Sequence, residues 1–109
     1  MLDESKVDKY LARIVRKAGG VSLKFVSPGK AGVPDRIVVL PGGLVWFVEL
    51  KAPRKKPRAL QRAVMRKMRG LGCHVSTIDN TKTARAFVEL QERRLRHAIH
   101  SASIPAESD

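Results

Sequence analysis

The sequence predicts a single α/β domain in which a β-sheet is flanked by helices, with elements in the order α-β-β-β-α-β-α. Three observations lead to this prediction. Apolar residues recur at helical spacing in three segments, and short apolar runs lie between those segments. The third observation is the length, because 109 residues correspond to about one domain and leave no room for a second.

One apolar stripe predicts the first helix, because its members recur at helical spacing: Val7, Tyr10, Leu11, Ile14, Val15 and Ala18. Asp3 or Ser5 can cap the start of this helix, and Gly19-Gly20 can end it. A short strand follows, in which apolar residues alternate with polar ones: Val21, Leu23 and Phe25. Residues 27–32 contain glycines and a proline, and they predict a loop.

The next two strands are predicted to form a β-hairpin. Residues 35–40 and 44–51 are apolar runs, and they flank the turn sequence Pro41-Gly42-Gly43. Residues 52–57 contain two prolines, which cannot donate a hydrogen bond to a neighbouring strand. That stretch is therefore expected to be a loop that leads into the next helix.

The second helix is expected from about Arg58 to Arg69, with Gly70 and Gly72 at its end. Its expected buried stripe has four members: Leu60, Val64, Met68 and Leu71. Residues 73–78 predict a last strand, and Asn80 or Thr81 caps a third helix. Five residues are expected to supply the apolar contacts of that helix: Ala84, Phe87, Val88, Leu90 and Leu95.

Residues 1–100 therefore form the predicted domain. Residues 101–109 show no periodicity, and we expect them to be a flexible tail. The N-terminus has neither a basic segment nor an apolar segment of a signal peptide, and the single cysteine cannot build a disulfide framework or a cysteine-rich zinc site. A protein of the reducing cytoplasm is the expectation.

The charge balance points to a polyanionic partner. The chain has 22 Lys and Arg against 10 Asp and Glu, a formal net charge of +12, and a hydrophobic fraction of 43% that is too high for a disordered basic tail. No apolar run approaches the roughly 18 residues of a membrane span. Nine of the basic residues lie between positions 51 and 78, where there is no acidic residue.

Two carboxylates and one amine are expected to meet at the end of the hairpin. Because side chains alternate along a strand, Glu49 and Lys51 share a face. If Pro41-Gly42-Gly43 is a three-residue loop, Asp35 lies opposite Glu49 on that same face. A two-residue loop would instead turn Asp35 away unless a bulge restores the register.

Such a group suits phosphodiester hydrolysis. Two carboxylates can hold Mg²⁺ or Mn²⁺, the cation neutralises charge on the phosphate, and the lysine can orient or activate the attacking water. A plainer alternative is a structural ion pair of Glu49 with Lys51 or Arg36, with Asp35 as a turn residue.

Three short motifs, in order and at the right spacing, resemble the signature of the PD-(D/E)XK nucleases: Gly32-Val33-Pro34-Asp35, then Glu49-Leu50-Lys51 after thirteen residues, then Gln61. The longer sequences Gly-Val-Pro-Asp-Arg-Ile and Val-Glu-Leu-Lys-Ala-Pro, with Gly72-Cys73-His74-Val75 after the glutamine-containing helix, are similar to the VRR-NUC branch of that superfamily. The resemblance covers roughly residues 4–87. It implies a restriction-endonuclease-like core with a mixed β-sheet flanked by helices.

The resemblance also implies roles for individual residues. Asp35 and Glu49 would be metal ligands together with the backbone carbonyl of Leu50, and the metal would be Mg²⁺ or Mn²⁺. Lys51 would be the catalytic lysine, and Gln61 would help to order the water or the substrate. Glu4 matches the acidic residue of the first helix and would complete the metal site; its position three residues before Val7 places it on the predicted inward stripe.

Standalone domains of this branch resemble phage-encoded endonucleases that act on branched DNA such as Holliday junctions, often as homodimers, in a bacterial or phage-infected cytoplasm. The basic segment that precedes Gln61, residues 54–58, is unusual for the family, and we expect it to bind DNA phosphates. The expected DNA-binding residues are Lys24, Lys30, Arg36, Arg54, Lys55, Lys56, Arg58 and Arg62. Two alternatives stay open: a non-catalytic nucleic-acid-binding domain, and a nuclease that acts on unbranched duplex DNA.

Overall fold

A computed structural model describes residues 3–101, with side chains described to residue 99. The elements follow the expected order: α1 (Glu4–Lys17), β1 (Val21–Lys24), β2 (Arg36–Leu40), β3 (Leu44–Leu50), α2 (Ala59–Gly70), β4 (Val75–Ile78) and α3 (Thr81–Ser101). Helix α3 thus includes Ser101, the first residue of the expected tail. Residues 102–109, which make up the rest of that tail, lie outside the described part of the chain.

The four strands form one mixed sheet in the order β1-β2-β3-β4, as the resemblance implied. Strands β1, β2 and β3 are antiparallel neighbours, whereas β4 runs parallel to β3. A parallel neighbour requires a crossover connection, and α2 lies in that crossover. The segment between β3 and β4 is therefore carried across one face of the sheet.

One face of the sheet packs against α1 and α3 and forms the hydrophobic core. The sheet contributes Val38, Leu40, Val48, Leu50 and Ile78, and the helices contribute Val7, Leu11, Val15, Ala84, Phe87 and Val88. The predicted stripe of the first helix is confirmed. Both helices have side-chain caps, because Asp3 Oδ1 accepts a hydrogen bond from Lys6 N and Asn80 Oδ1 accepts one from Thr83 N.

The predicted buried stripes of α2 and α3 are partly wrong. In α2, Leu60 and Leu71 are 56% and 75% exposed, and Val64 and Met65 are the buried pair. The side chain of Leu60 lies against the 27–32 loop, because a Cβ built on Gly32 would come within 3.0 Å of Leu60 Cγ. Leu60 therefore packs beside the loop and not in the core. In α3, Leu90 is exposed and Gln91 is buried in its place.

The last strand begins at Val75, two residues later than predicted. Residues 71–74 connect the end of α2 to β4 and are not part of the strand. Gly72 has a φ of +93°, and Cys73 N donates a hydrogen bond back to Met68 O in the last turns of the helix. Among residues 3–101, no helix is both long and apolar enough to cross a lipid bilayer.

Gly20 lies where α1 turns into β1, and a side chain there has no room. A Cβ at this position would come within 2.3 Å of the backbone oxygen of Val39. We expect Gly20→Ala to lower the free energy of unfolding by about 1–3 kcal/mol, because backbone must move to accept the methyl group. Urea unfolding followed by circular dichroism measures this change.

Gly29 provides a matched control, because nothing lies within 4 Å of a Cβ built there. Gly29→Ala should therefore change the free energy of unfolding by less than about 1 kcal/mol. Equal destabilisation by the two substitutions would contradict the close approach of Gly20 to β2.

Candidate active site

Glu49 is a charged residue in the interior of the protein. It lies in β3 on the face opposite the hydrophobic core, and only 2% of it is exposed. Its Oε2 atom accepts a hydrogen bond from Gln61 Nε2 at 2.5 Å and lies 3.1 Å from Lys51 Nζ. The ion pair between Glu49 and Lys51 that the sequence offered as a structural alternative is therefore present.

The second carboxylate oxygen of Glu49 has no partner. Oε1 is buried and receives no hydrogen bond from any of the described residues. An unsatisfied buried carboxylate oxygen is costly, since it has lost its water and gained nothing in exchange. A ligand that supplies positive charge at Oε1 would remove that cost. The oxygen without a partner is therefore better explained by a cation-binding site than by a purely structural ion pair.

The hairpin register brings Asp35 to Glu49. Leu40 pairs with Leu44 and Arg36 pairs with Val48, so the three-residue loop is confirmed and Asp35 comes opposite Glu49. Asp35 Oδ1 accepts a hydrogen bond from Leu50 N at 3.0 Å. This bond ties Asp35, which precedes β2, to the end of β3.

The pKa values of both carboxylates are raised. Burial is the main cause that raises the pKa of Glu49, the negative charge of Asp35 raises it further, and Lys51 opposes both effects. Burial also raises the pKa of Asp35, against the lowering effect of the hydrogen bond from Leu50. Two carboxylates destabilised in this way are a common feature of catalytic and metal-binding sites.

Gln61 is held at both ends of its amide group. Its Oε1 accepts a hydrogen bond from Arg58 N at 2.9 Å, and its Nε2 donates to Glu49. The first bond satisfies a backbone donor at the start of α2, as a capping residue does. Gln61 thereby couples the start of the helix to the orientation of the Glu49 carboxylate.

A cleft of about 390 Å³ opens between α1 and the ends of β2 and β3. Its lining residues are Glu4, Ser5, Asp8, Lys24, Asp35, Arg36 and Leu50. Glu4 is exposed on this lining, so the expectation that it points inward is wrong. The reason is its position in the first turn of α1, one turn before Val7, the first buried residue of the helix.

The cleft is lined by a third acidic residue, Asp8, which the sequence analysis did not select. Asp8 forms an ion pair with Arg36, and its Oδ1 atom is buried without a partner among the described residues. Its negative charge also contributes to the raised pKa of Asp35. Asp8 lies four residues after Glu4 and so on the same side of the helix, which is a signal that the sequence contained.

The expected DNA-binding residues fall into two groups. Seven are exposed: Lys24, Lys30, Arg54, Lys55, Lys56, Arg58 and Arg62. The eighth, Arg36, is partly buried against Asp8. Among the exposed seven, Arg62 Nη1 donates a hydrogen bond to Pro57 O at 2.6 Å. Arg54 has a φ of +67° in a turn closed by a hydrogen bond from Lys55 N to Ala52 O. Glycine is usual at such a position, so a side chain is kept there at some cost in strain.

The donor atoms suit a hard divalent cation. Asp35 and Glu49 offer carboxylate oxygens, and Leu50 follows Glu49 with a backbone carbonyl. Within residues 3–101, no three carboxylate, histidine or cysteine side chains come together as a complete ligand set. The backbone carbonyl and oxygens of water or substrate would therefore have to supplement the two carboxylates.

A comparison with protein-family models gives no match for this chain. The chain is similar to the protein named "Putative nuclease p44" of Acyrthosiphon pisum secondary endosymbiont phage 1, with 45% identity over 80 residues, 73% of this chain and 86% of the phage protein. It is also similar to a solved structure described as "VRR_NUC domain", with 32% identity and a TM-score of 0.74, over 79% of this chain and 94% of that one. Both similarities span most of each partner and therefore concern the whole domain.

Asp35→Asn should change how stability depends on pH. Because folding raises the pKa of Asp35 above its ordinary value of 3.8, the stability that this residue contributes at low pH is lost as the pH rises through the folded-state pKa. We expect Asp35→Asn without divalent cations to be more stable than the wild type at pH 7, and this difference to shrink below about pH 4. Urea unfolding at a series of pH values measures it.

The substitution keeps an acceptor for Leu50 N, so it removes the charge without removing the hydrogen bond. Glu89→Gln is the matched control, because Glu89 is an exposed carboxylate of α3 and should leave the pH dependence unchanged. A difference between Asp35→Asn and the wild type that stays constant from about pH 3 to pH 8 would contradict the electrostatic explanation.

Proposed function

Because the chain belongs to the VRR-NUC domain family of nucleases, we propose that it is a Mg²⁺- or Mn²⁺-dependent endonuclease that hydrolyses phosphodiester bonds in branched DNA such as Holliday junctions. The observation that carries this proposal is the position of Asp35 opposite Glu49 across the hairpin, with Lys51 on the same Glu49 carboxylate.

Asp35, Glu49 and the Leu50 carbonyl are the proposed metal ligands. The buried Glu49 Oε1 atom supports this assignment, because it is an oxygen donor without a partner among the described residues. Bound there, a divalent cation would neutralise the negative charge that develops on the phosphate. Glu4, which lines the same cleft from α1, is proposed to complete the metal site.

Lys51 and Gln61 are proposed to prepare the site for the attacking water. Lys51 Nζ, held by Glu49, presents N–H donors that orient the water or the phosphate. Gln61 fixes the Glu49 carboxylate and so acts as a positioning residue. Water attacks phosphorus, the bond from phosphorus to the 3′ oxygen breaks, and the products carry a 5′-phosphate and a 3′-hydroxyl group.

Single substitutions at these positions test the proposed chemistry. Asp35→Ala and Lys51→Ala should each reduce cleavage of a four-way junction by about 100-fold or more, since the first removes a proposed metal ligand and the second removes a positive charge beside the reacting phosphate. Gln61→Ala should cost about 10-fold to 100-fold, because it acts through Glu49. Initial rates on end-labelled junctions, with Mg²⁺, Mn²⁺ or EDTA, measure these changes.

Lys82→Ala is the control for these variants, because Lys82 is exposed on α3 and should leave the rate unchanged. Cleavage that persists in EDTA, or that is unchanged in Asp35→Ala, contradicts the metal-dependent mechanism. A protein that binds DNA and cleaves none under any of these conditions is the non-catalytic binding domain of the alternative.

We propose that the enzyme acts as a homodimer, because each chain has one such site and symmetrical cleavage of a junction needs two. An apolar sheet face supports this proposal. The register aligns two rows across β1, β2 and β3, namely Val21, Val39 and Val45, and Leu23, Ile37 and Phe47. Val21, Leu23 and Val45 are exposed there, so part of this face is left uncovered. A second copy of the chain would remove it from water.

Val45→Lys tests the dimer. We expect it to shift the protein to a monomer in sedimentation equilibrium, because it places a charge in the proposed interface. On a plasmid cruciform, the variant should produce single nicks in place of paired cuts. Ile99→Lys is the control, since Ile99 is an exposed apolar residue of α3, the helix that packs on the opposite face of the sheet.

A monomeric wild-type protein at micromolar concentration, or paired cuts that persist in Val45→Lys, contradicts the proposed interface. Equal rates on a linear duplex and on a junction favour the alternative of a nuclease that ignores branching.

A further inference from the structure

A second cleft lies on the other side of the candidate active site, between α2 and the edge strand β4. Its volume is about 340 Å³, and its lining residues are Pro57, Arg62, Met65, Arg66, Arg69 and Thr77. Three of these six residues are arginines and none is acidic. We call it the α2–β4 cleft.

We propose that the α2–β4 cleft binds phosphate groups of the DNA strand that enters the active site, which rests on the proposed nuclease function. The guanidinium group suits this ligand, because its planar set of N–H donors can bind two oxygens of one phosphate. Arg66 and Arg69 were not among the DNA-binding residues expected from the sequence.

The cleft adjoins the active site through the sheet. Thr77, which lines the cleft, is the register partner of Glu49 in the parallel pair of β3 and β4. Neighbouring strands lie about 4.8 Å apart, and paired residues project from the same face. A DNA strand with one phosphate at Glu49 can therefore continue directly into the cleft.

The arginines have a spacing that suits a polymer of phosphates. Arg62, Arg66 and Arg69 follow one another at i, i+4 and i+7 on one side of α2. Seven residues of helix rise about 10 Å, which is long enough for more than one phosphate group. The row of arginines is therefore long enough to contact successive phosphates of one DNA strand, and it is longer than a single small anion.

Two of the three guanidinium groups are held in place by the backbone. Arg62 Nη1 donates to Pro57 O at 2.6 Å, and Arg69 Nη2 donates to Val75 O at 3.2 Å. Each group keeps further N–H donors for a ligand. Arg66 lies between them and is exposed. Binding therefore requires little additional ordering of Arg62 and Arg69.

The charge of the cleft is not neutralised within the described residues. Arg36 forms an ion pair with Asp8 and Lys51 forms one with Glu49, and neither pair involves a residue of α2. The larger cleft between α1 and α3 differs, because its basic residues Arg13, Lys17 and Arg85 lie beside Glu89 and Glu92. The α2–β4 cleft is thus the one of these two whose unbalanced charge favours a polyanion.

Arg66→Ala tests the inference, because Arg66 makes no backbone hydrogen bond that holds the fold together among the described contacts. Binding of a fluorescent four-way junction is measured by anisotropy in EDTA, where cleavage is absent. We expect about 5-fold weaker binding and a salt slope of log K smaller by about 0.9, as for the loss of one phosphate contact. Arg93→Ala, which removes the same charge from an exposed position on α3, should change binding less than about 2-fold.

A second measurement locates the phosphate. Neutral methylphosphonate linkages are introduced one at a time near the cleavage position. We expect one or two of them to weaken binding by the wild type and to have little further effect on Arg66→Ala, because the charge pair is already lost. For Arg93→Ala the same linkages should weaken binding as they do in the wild type.

Equal effects of Arg66→Ala and Arg93→Ala, or the absence of any linkage whose effect depends on Arg66, would overturn the inference. The test is independent of cleavage. A protein that shows the Arg66-dependent linkage but cleaves no DNA retains the α2–β4 cleft and loses the proposed nuclease chemistry. A protein that cleaves DNA without that linkage retains the chemistry and loses the cleft.

Discussion

The arrangement of this domain depends on the burial of one carboxylate at the end of β3. Glu49 is 2% exposed, and an isolated charge there would be strongly unfavourable. Two side chains contact the same carboxylate oxygen, Oε2: Lys51, the next residue on the same face, and Gln61, in the first turn of α2. The other oxygen has no partner among the described residues. The fold therefore stabilises one oxygen of the buried carboxylate, and a ligand at the other oxygen would stabilise the second.

The two faces of the sheet divide the tasks of stability and chemistry. The α1 and α3 face holds an apolar core, whereas the face toward α2 carries Glu49 and Lys51. Proximity to Asp35 makes the charged form of Glu49 less favourable still, because the negative charge of Asp35 adds to the effect of burial in raising the pKa of Glu49. A site of this kind is maintained by the packing of the opposite face, at positions such as Val48 and Leu50 that alternate with it along β3.

Local patterns in the sequence predicted the helices and strands. The features that these patterns did not predict arise from contacts between elements. Alternation along β3 correctly placed Glu49 and Lys51 together because its period is two. The register of Asp35 depended on the loop, where Gly42 and Gly43 have φ values of +86° and +72° that allow the three-residue turn. The pairing of Asp8 with Arg36 joins residues 28 positions apart, which no local pattern reveals. In α2 the apolar residues Leu60 and Leu71 suggested a buried stripe, whereas the polar Gln61 turns inward because Glu49 needs a donor.

Helix α2 would link the proposed DNA binding to the proposed catalysis, because it presents one side chain to the α2–β4 cleft and another to Glu49. Gln61 points from its first turn to Glu49, while Arg62, one residue further on, begins the row that lines the α2–β4 cleft. Adjacent helical residues lie about 100° apart around the axis, so one helix can reach both the buried carboxylate and the edge of the sheet. A small rotation of α2 would move both contacts together. The inward packing of Val64 and Met65 resists such a rotation, and in the proposed function it would fix the position of the bound strand relative to the carboxylates.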